Sequence, residues 1–302
     1  MAAFDLIIIG SGPAGLSAAI IGRRAGLSIL VLEKDIVGGG PAVLANIDSY
    51  PGIEKIDGWS LTRTMEKQAR ELGVQITEGE EVISVLSQEK ATKKVICAGG
   101  KIFDGKTIII ATGGVPKKLD VPGEDRLLRR GVHTCAQCAG PAYNGGKVMI
   151  CGNGASALVA AEHLLTLSAT VTMLIAGENL RGDAIRIKAF HSSPLFHMVS
   201  RARVLRILGD EKVTGAEVEY LEDGRTELFA VDGIFLYVGL EPRTSFIEAK
   251  KNSHGYLRVD SQMQTSVTGI YAAGGAVRSE PQLIIAAGDG ARAALAAASY
   301  LS

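Results

Sequence analysis

The chain has 302 residues, 47% apolar and 21% charged, which suits two ordinary globular domains and excludes a disordered chain. Lys plus Arg and Asp plus Glu balance at 32 each, so no net field recruits nucleic acid or anionic lipid. No apolar run reaches bilayer length, and four cysteines are too few for a secreted disulfide scaffold, which makes a reducing cytoplasm the expected compartment.

Residues 5–9 form a short apolar run without a basic leader or cleavage site, and they read as a first buried strand rather than a signal peptide. Gly10-Ser11-Gly12-Pro13-Ala14-Gly15 follows at once, then a helix from Leu16 to Ala25, a second strand from Ser28 to Leu32, and Glu33. Each part has a mechanical task. Gly10 makes the turn, Gly12 lets a pyrophosphate approach the backbone, and Gly15 lets helix and strand pack closely. The helix N-terminus offers unpaired N–H groups to the phosphates, and Glu33 accepts from an adenosine ribose. An acid at that place disfavours a 2′-phosphate, which leaves FAD or NAD.

Further on, Asp57 to Leu72 mixes polar and apolar residues at helical spacing and reads as a surface helix. A strand from Thr107 to Ile110 runs into the small-residue turn Ala111-Thr112-Gly113-Gly114, where backbone can approach a bulky planar ligand. Cys135-Ala136-Gln137-Cys138 is a C-x-x-C at the start of a short helix, flanked by His133-Thr134 and Gly140-Pro141. A zinc pair, an accidental buried pair and a redox dithiol are the open readings. Zinc needs two further ligands at similar spacing, and Cys97 and Cys151 are isolated, more in keeping with small core residues. The dithiol is favoured, because cysteines one turn apart can close a small disulfide and a helix N-terminus can hold a thiolate.

A second strand–turn–helix–strand unit begins at Lys147. Its parts are the strand Lys147 to Cys151, the turn Gly152 to Ala157, the helix Leu158 to Leu167 and the strand Thr170 to Ile175. Such repetition points to two nucleotide-type domains. Glu33 stands 23 positions after Gly10, and the same step from Gly152 lands on Ile175, followed by Ala176-Gly177. There is no acid here for a ribose and no arginine pair for a 2′-phosphate, although Arg181, Arg186 or Lys188 could reach a phosphate from another angle. His191 and His197 flank the turn Ser192-Ser193-Pro194 and read as solvated. The chain closes with Thr268 to Gly274, a short strand ending in Ala-Ala-Gly, then Gln282, Leu283 and an alanine-rich helix.

Taken together, these pieces resemble the low-molecular-weight thioredoxin reductase family along nearly the whole chain. The resemblance is carried by Gly10 to Gly15, Tyr50-Pro51-Gly52, Ala111-Thr112-Gly113, Val121-Pro122-Gly123-Glu124, Cys135 to Cys138, Val231-Asp232-Gly233, Gly239-Leu240-Glu241-Pro242 and Gly269 to Gly274. It implies an α/β fold of two Rossmann-like dinucleotide-binding domains, the second inserted in the first. An FAD domain would span 1–115 and 243–302, and an NAD(P)-type domain carrying the C-x-x-C would span 116–242. FAD would be held by Gly10, Gly12, Pro13, Ala14, Gly15, Glu33, Lys34, Gly39, Ser49, Val82, Ala111, Thr112, Gly113, Gly274, Gln282 and Leu283.

The resemblance also divides the labour of the catalytic pair. Cys138 would exchange electrons with the flavin, and Cys135 would attack the disulfide of a thioredoxin-like partner protein. A homodimer is the family expectation. Five departures stand out. Ala139 replaces the Asp that follows the second cysteine, which leaves proton supply to water or to another group such as His133. Gly275-Ala276 replaces the Asp after Ala-Ala-Gly, and Gly38-Gly39-Gly40 lacks the usual Gln. Ile175-Ala176-Gly177 replaces a His-Arg-Arg stretch, while Val159 and Ala160 replace an acidic pair. NADPH is therefore an expected poor donor, with a one-electron carrier such as ferredoxin in its place. A dithiol oxidase and a non-catalytic flavin-binding sensor are the rival readings.

Overall fold

The apolar runs at 6–9, 29–32 and 107–110 become neighbouring parallel strands buried on both faces, which is why they read as continuous rather than alternating. The computed structural model describes residues 3–44, 47, 49–87, 92–182, 184–278 and 282–302. It divides into two compact units, Met1–Val115 with Glu241–Ser302, and Pro116–Leu240.

The first unit opens with β1 (Phe4–Ile9), α1 (Pro13–Arg24), β2 (Ile29–Leu32), α2 (Gly58–Glu71), β3 (Gln75–Thr77), β4 (Val82–Leu86), β5 (Lys93–Cys97) and β6 (Ile102–Ile110). β7 (Gly114–Pro116) leads into the second unit. There follow α3 (Glu124–Leu127), β8 (Val132–His133), α4 (Ala136–Ala139), β9 (Lys147–Cys151), α5 (Ala155–Thr166), β10 (Thr170–Leu174), α6 (Ala184–His191) and β11 (Phe196–Val199). Then come β12 (Ala202–Leu208), β13 (Gly215–Tyr220), β14 (Thr226–Phe229) and β15 (Gly233–Leu236). β16 (Leu240–Pro242) pairs with β7, and β17 (Ile270–Ala272) and α7 (Leu283–Leu301) complete the first unit.

Among the described residues the first unit carries a seven-stranded sheet in the order β3-β2-β1-β6-β5-β4, with β17 also on β6. β6 is long enough to pair antiparallel with β5 through Ile102–Gly105 and parallel with β17 through Ile108–Ile110. The late segment thereby rejoins the sheet beside the first glycine turn. Helices α1, α2 and α7 cover one face. α2 is capped by Asp57, whose carboxylate accepts the Ser60 amide at 2.9 Å, and it buries the four-spaced stripe Leu61, Met65, Ala69.

The second unit has a parallel sheet in the order β11-β10-β9-β15-β8. Alternation along β9 separates two cores. Val148 and Ile150 pack with Leu158, Ala161 and Leu164 of α5, while Met149 and Cys151 pack with β12 and β13. Among the described residues, no helix is long and apolar enough to cross a membrane.

Candidate functional site

At the C-terminal end of β1 the chain turns through Gly10 with φ +100°, and a Cβ there would lie 2.4 Å from the Ala111 carbonyl oxygen. Only glycine fits. A Cβ on Gly15 would stand 1.9 Å from the Gly10 oxygen, so α1 docks on the turn by lacking a side chain there. Gly12 is the extended N-cap of α1 and Pro13 opens the helix, with no side chain capping it. Its first amides are therefore left for an external acceptor.

Glu33, 8% exposed, follows β2 and faces this turn. One carboxylate oxygen, Oε2, accepts the Ser11 amide at 2.9 Å and the Ser11 hydroxyl at 2.6 Å, and Oε1 accepts the Asp35 amide at 2.9 Å. Of the roughly four lone-pair sites on a carboxylate, these use three.

The structure brings most of the predicted residues to this place. Gly39 approaches Gly12, with its Cβ position 3.3 Å from the Gly12 Cα. Ala111 continues the ladder by donating to Ile9, and the Thr112 hydroxyl donates to the Arg243 carbonyl at 2.6 Å. Gly113 is open on the side a Cβ would occupy. Gly274 fits between Ala14 of α1 and Ala286 of α7. Gln282 is the N-cap of α7 and Leu283 its first residue. Lys34 pairs with Glu81 at 2.7 Å, next to Val82 at the start of β4. Ser49 is exposed, and among the described residues no hydrogen bond ties it to the glycine turns.

Sequence reasoning missed Asp289. This residue, its side chain 12% exposed, accepts the Gly274 amide at 3.2 Å and pairs with Arg278 Nε at 3.3 Å. The only available signal was an acid on a helix of alanines.

In the second unit Cys135 and Cys138 form a disulfide, with their Cα atoms 5.4 Å apart. Cys135 is the N-cap of α4, and its Sγ accepts the Cys138 amide at 3.2 Å. Ala136 anchors the turn, fully buried, and its amide donates to the Tyr237 hydroxyl at 2.9 Å. His133 Nε2 and the Tyr143 hydroxyl stand 2.7 Å apart, and both rings lie against Phe235. Burial holds the His133 pKa below the usual histidine value and pushes the phenols of Tyr143 and Tyr237 up. The other two cysteines are buried in the cores, and burial raises their thiols to about 11 for Cys97 and about 12 for Cys151. They are inert packing residues.

The second glycine turn differs from the first. The chain after β10 runs beside it and bonds its edge at Asn153. The Arg181 amide donates to the Asn153 carbonyl at 2.7 Å, and Asn153 Nδ2 donates to the Asn179 carbonyl at 3.3 Å. A Cβ on Gly182 would lie 3.7 Å from the Ala155 Cα, so this loop packs against the first turn of α5. Glu178 and Glu222 both bind Arg201 at an open cleft of about 600 Å3. Arg186 pairs with Glu162 at 3.1 Å, while His191 and His197 are exposed.

Residues 4–291 match the model of the pyridine nucleotide-disulphide oxidoreductase family. The chain is 34% identical to a thioredoxin reductase of Listeria monocytogenes over 99% of its own length and 94% of that protein. It is 35% identical to a thioredoxin reductase of Treponema pallidum, covering 99% and 97%. The crystal structure of Lactococcus lactis thioredoxin reductase superposes with a TM-score of 0.93 at 32% identity, covering 99% of each chain. The chain belongs to the thioredoxin reductase family. It shares the family's α/β fold of two Rossmann-like dinucleotide-binding domains, and it is a flavin-dependent oxidoreductase with FAD as its cofactor.

Proposed function

We propose that this protein reduces the disulfide of a thioredoxin-like protein in the cytoplasm, as a homodimer, and draws its electrons from a one-electron carrier of the ferredoxin type rather than from NADPH. The observation that carries the disulfide chemistry is the closed Cys135–Cys138 pair at the head of α4. The donor reading is supported by the second nucleotide-type unit, where Ile175-Ala176-Gly177 offers neither an acid for a ribose nor an arginine pair for a 2′-phosphate.

FAD suits the first unit. Pyrophosphate needs bare backbone and free helix amides, and Gly12, Gly39 and the uncapped start of α1 offer both. The remaining lone pair of Glu33 Oε1 suits a ribose hydroxyl, and Gly113, with nothing within 4 Å of its Cβ position, leaves room for a planar ring system. FAD can gather two single electrons and hand on a pair, which is what a disulfide requires.

In the proposed cycle, two electrons and two protons convert Cys135–Cys138 to the dithiol, the electrons entering through Cys138. The Cys135 thiolate then attacks the partner's disulfide and forms a mixed disulfide. Cys138 displaces the partner, which leaves as a dithiol, and the Cys135–Cys138 bond closes again.

The test uses two variants. Cys138→Ser leaves Cys135 able to attack but nothing to resolve the product, so a mixed disulfide with thioredoxin accumulates. Cys135→Ser leaves Cys138 as the single thiol for exchange with the flavin, and a long-wavelength absorbance band at neutral pH is expected. Reversed results reassign the two roles, and undiminished disulfide reduction by both variants removes the dithiol from the reaction.

A further inference from the structure

We infer that Tyr237 is a positioning residue of the redox pair, one that favours the closed disulfide by holding the Ala136 amide. The inference rests on the reading of Cys135–Cys138 as the reacting dithiol. Tyr237 itself is fixed at the end of the parallel sheet. Its amide donates to the Cys151 carbonyl at 2.8 Å, one residue beyond β15, and a Cβ on neighbouring Gly152 would come within 2.3 Å of the Tyr237 backbone carbonyl oxygen. From this fixed backbone the side chain reaches α4, where its hydroxyl accepts the Ala136 amide. Ala139 puts no carboxylate on this helix, and among the described residues Tyr237 is the one side chain from outside the turn that bonds an α4 amide.

The two redox states differ in what the Ala136 amide can bond. A first-turn amide has no partner within its helix, and Ala136 is buried, so solvent does not replace a missing acceptor. In the closed form the Cys135 sulfur is bonded to Cys138 and takes up the Cys138 amide. Ala136 then depends on Tyr237. In the open form the Cys135 sulfur is released as a thiolate, a strong acceptor free to turn to the amides of its own turn. Removing the phenolic oxygen therefore costs the closed form more than the open one. Burial of the phenol keeps it protonated through the working pH range, so the hydroxyl acts as a neutral acceptor.

The experiment is a redox titration of the FAD-loaded wild type, Tyr237→Phe and Tyr220→Phe in dithiothreitol buffers. Samples are denatured and labelled with maleimide. The oxidised chain takes two labels, on Cys97 and Cys151, and the reduced chain takes four. Tyr237→Phe keeps the ring and removes only the hydroxyl. Its equilibrium with dithiothreitol is expected to move at least about fivefold toward the dithiol, some 20 mV for a two-electron couple. Tyr220, a half-buried phenol of β13 bonded to Glu227, is the control and is expected to titrate as wild type. Curves for Tyr237→Phe and wild type within twofold of each other overturn the inference and leave the dithiol reading standing. A wild-type pair that does not titrate at all overturns both.

Discussion

The Asp289 carboxylate of α7 accepts the Gly274 amide at 3.2 Å and stands 3.3 Å from Arg278 Nε. The family places an acid directly after Ala-Ala-Gly, and this chain has Gly275 there. The acid at this turn comes instead from the helix 15 residues after Gly274, and it fixes the backbone rather than extending from it. Asp289→Asn keeps the shape and removes the charge. A hydrogen bond to a charged group contributes about 1.5–3 kcal/mol, and most of that is lost while Arg278 remains partly buried without its counter-charge. The expected result is FAD retained roughly tenfold less tightly, read from the flavin-to-protein absorbance ratio after dilution and gel filtration. Unchanged retention would show that Gly274 keeps its place without Asp289.

Packing of α1 against α7 gives a second expectation. A Cβ on Gly290 would lie 1.9 Å from the Ala14 carbonyl oxygen, whereas one on Gly288 meets nothing within 4 Å. Ala14 is backbone at the head of the FAD turn and has no room to yield. Gly290→Ala is expected to destabilise by about 3 kcal/mol or more, the upper end of overpacking, and to lower FAD content with it. Gly288→Ala, on the exposed side of the same helix, is expected to be neutral or to stabilise by up to about 1 kcal/mol through helix propensity. Thermal melts of the two variants separate the effects, and similar losses in both would mean that the helix tolerates no alanine for another reason.

Much of this arrangement is legible in the sequence, because strands and helices have local periods. The run 5–33 predicts strand, turn, helix, strand and acid, and the structure has β1, Gly10 to Gly15, α1, β2 and Glu33 in that order. The repeat from Lys147 is equally plain, and Cys135–Cys138 falls at a helix start. The contacts that tune these parts are not legible. Ala136 and Tyr237 are 101 residues apart, and Asp289 bonds a backbone amide rather than a partner with a matching motif. Neither bond leaves a periodic trace. Comparing offsets between the two copies finds Ile175 where Glu33 would be, yet it does not reveal that Glu178, three places later, turns to Arg201.

His133 gives the pH dependence. Its pKa lies below the usual value near 6.5 because the ring is partly desolvated against Tyr143 and Phe235. The folded protein thus binds this proton less readily than the unfolded chain does. The stabilising contribution is fully present above about pH 6.5 and is lost as pH falls through the unfolded value toward the lower folded one. His133→Gln can still bond the Tyr143 hydroxyl but does not titrate. The wild type is therefore expected to lose more thermal stability between pH 7.5 and 5.0 than His133→Gln, with the remaining titrating groups cancelling in the comparison. Equal losses would place the imidazole in effectively free solvent.

The proposed choice of electron donor rests on the second glycine turn. For a pyridine nucleotide to use it, pyrophosphate must reach the start of α5, where Gly182 packs, and the edge of the turn where Asn153 is tied to Asn179 and Arg181. A 2′-phosphate would then meet Glu178, with Arg201 held between two glutamates. The acid at Glu178 opposes a 2′-phosphate by charge. NADH lacks that phosphate, but it finds Ile175 where an acid would hold its ribose. An iron–sulfur protein needs only approach to the flavin edge and no nucleotide pocket. Anaerobic stopped-flow mixing, followed at the flavin absorbance band, is expected to show fast bleaching by reduced ferredoxin and little by NADPH or NADH. Replacing Arg181 with Ala should leave the slow NADPH rate where it is, since its backbone amide rather than its guanidinium bonds the turn. Fast bleaching by micromolar NADPH, abolished in Arg181→Ala, would mean that Arg181 holds the phosphate.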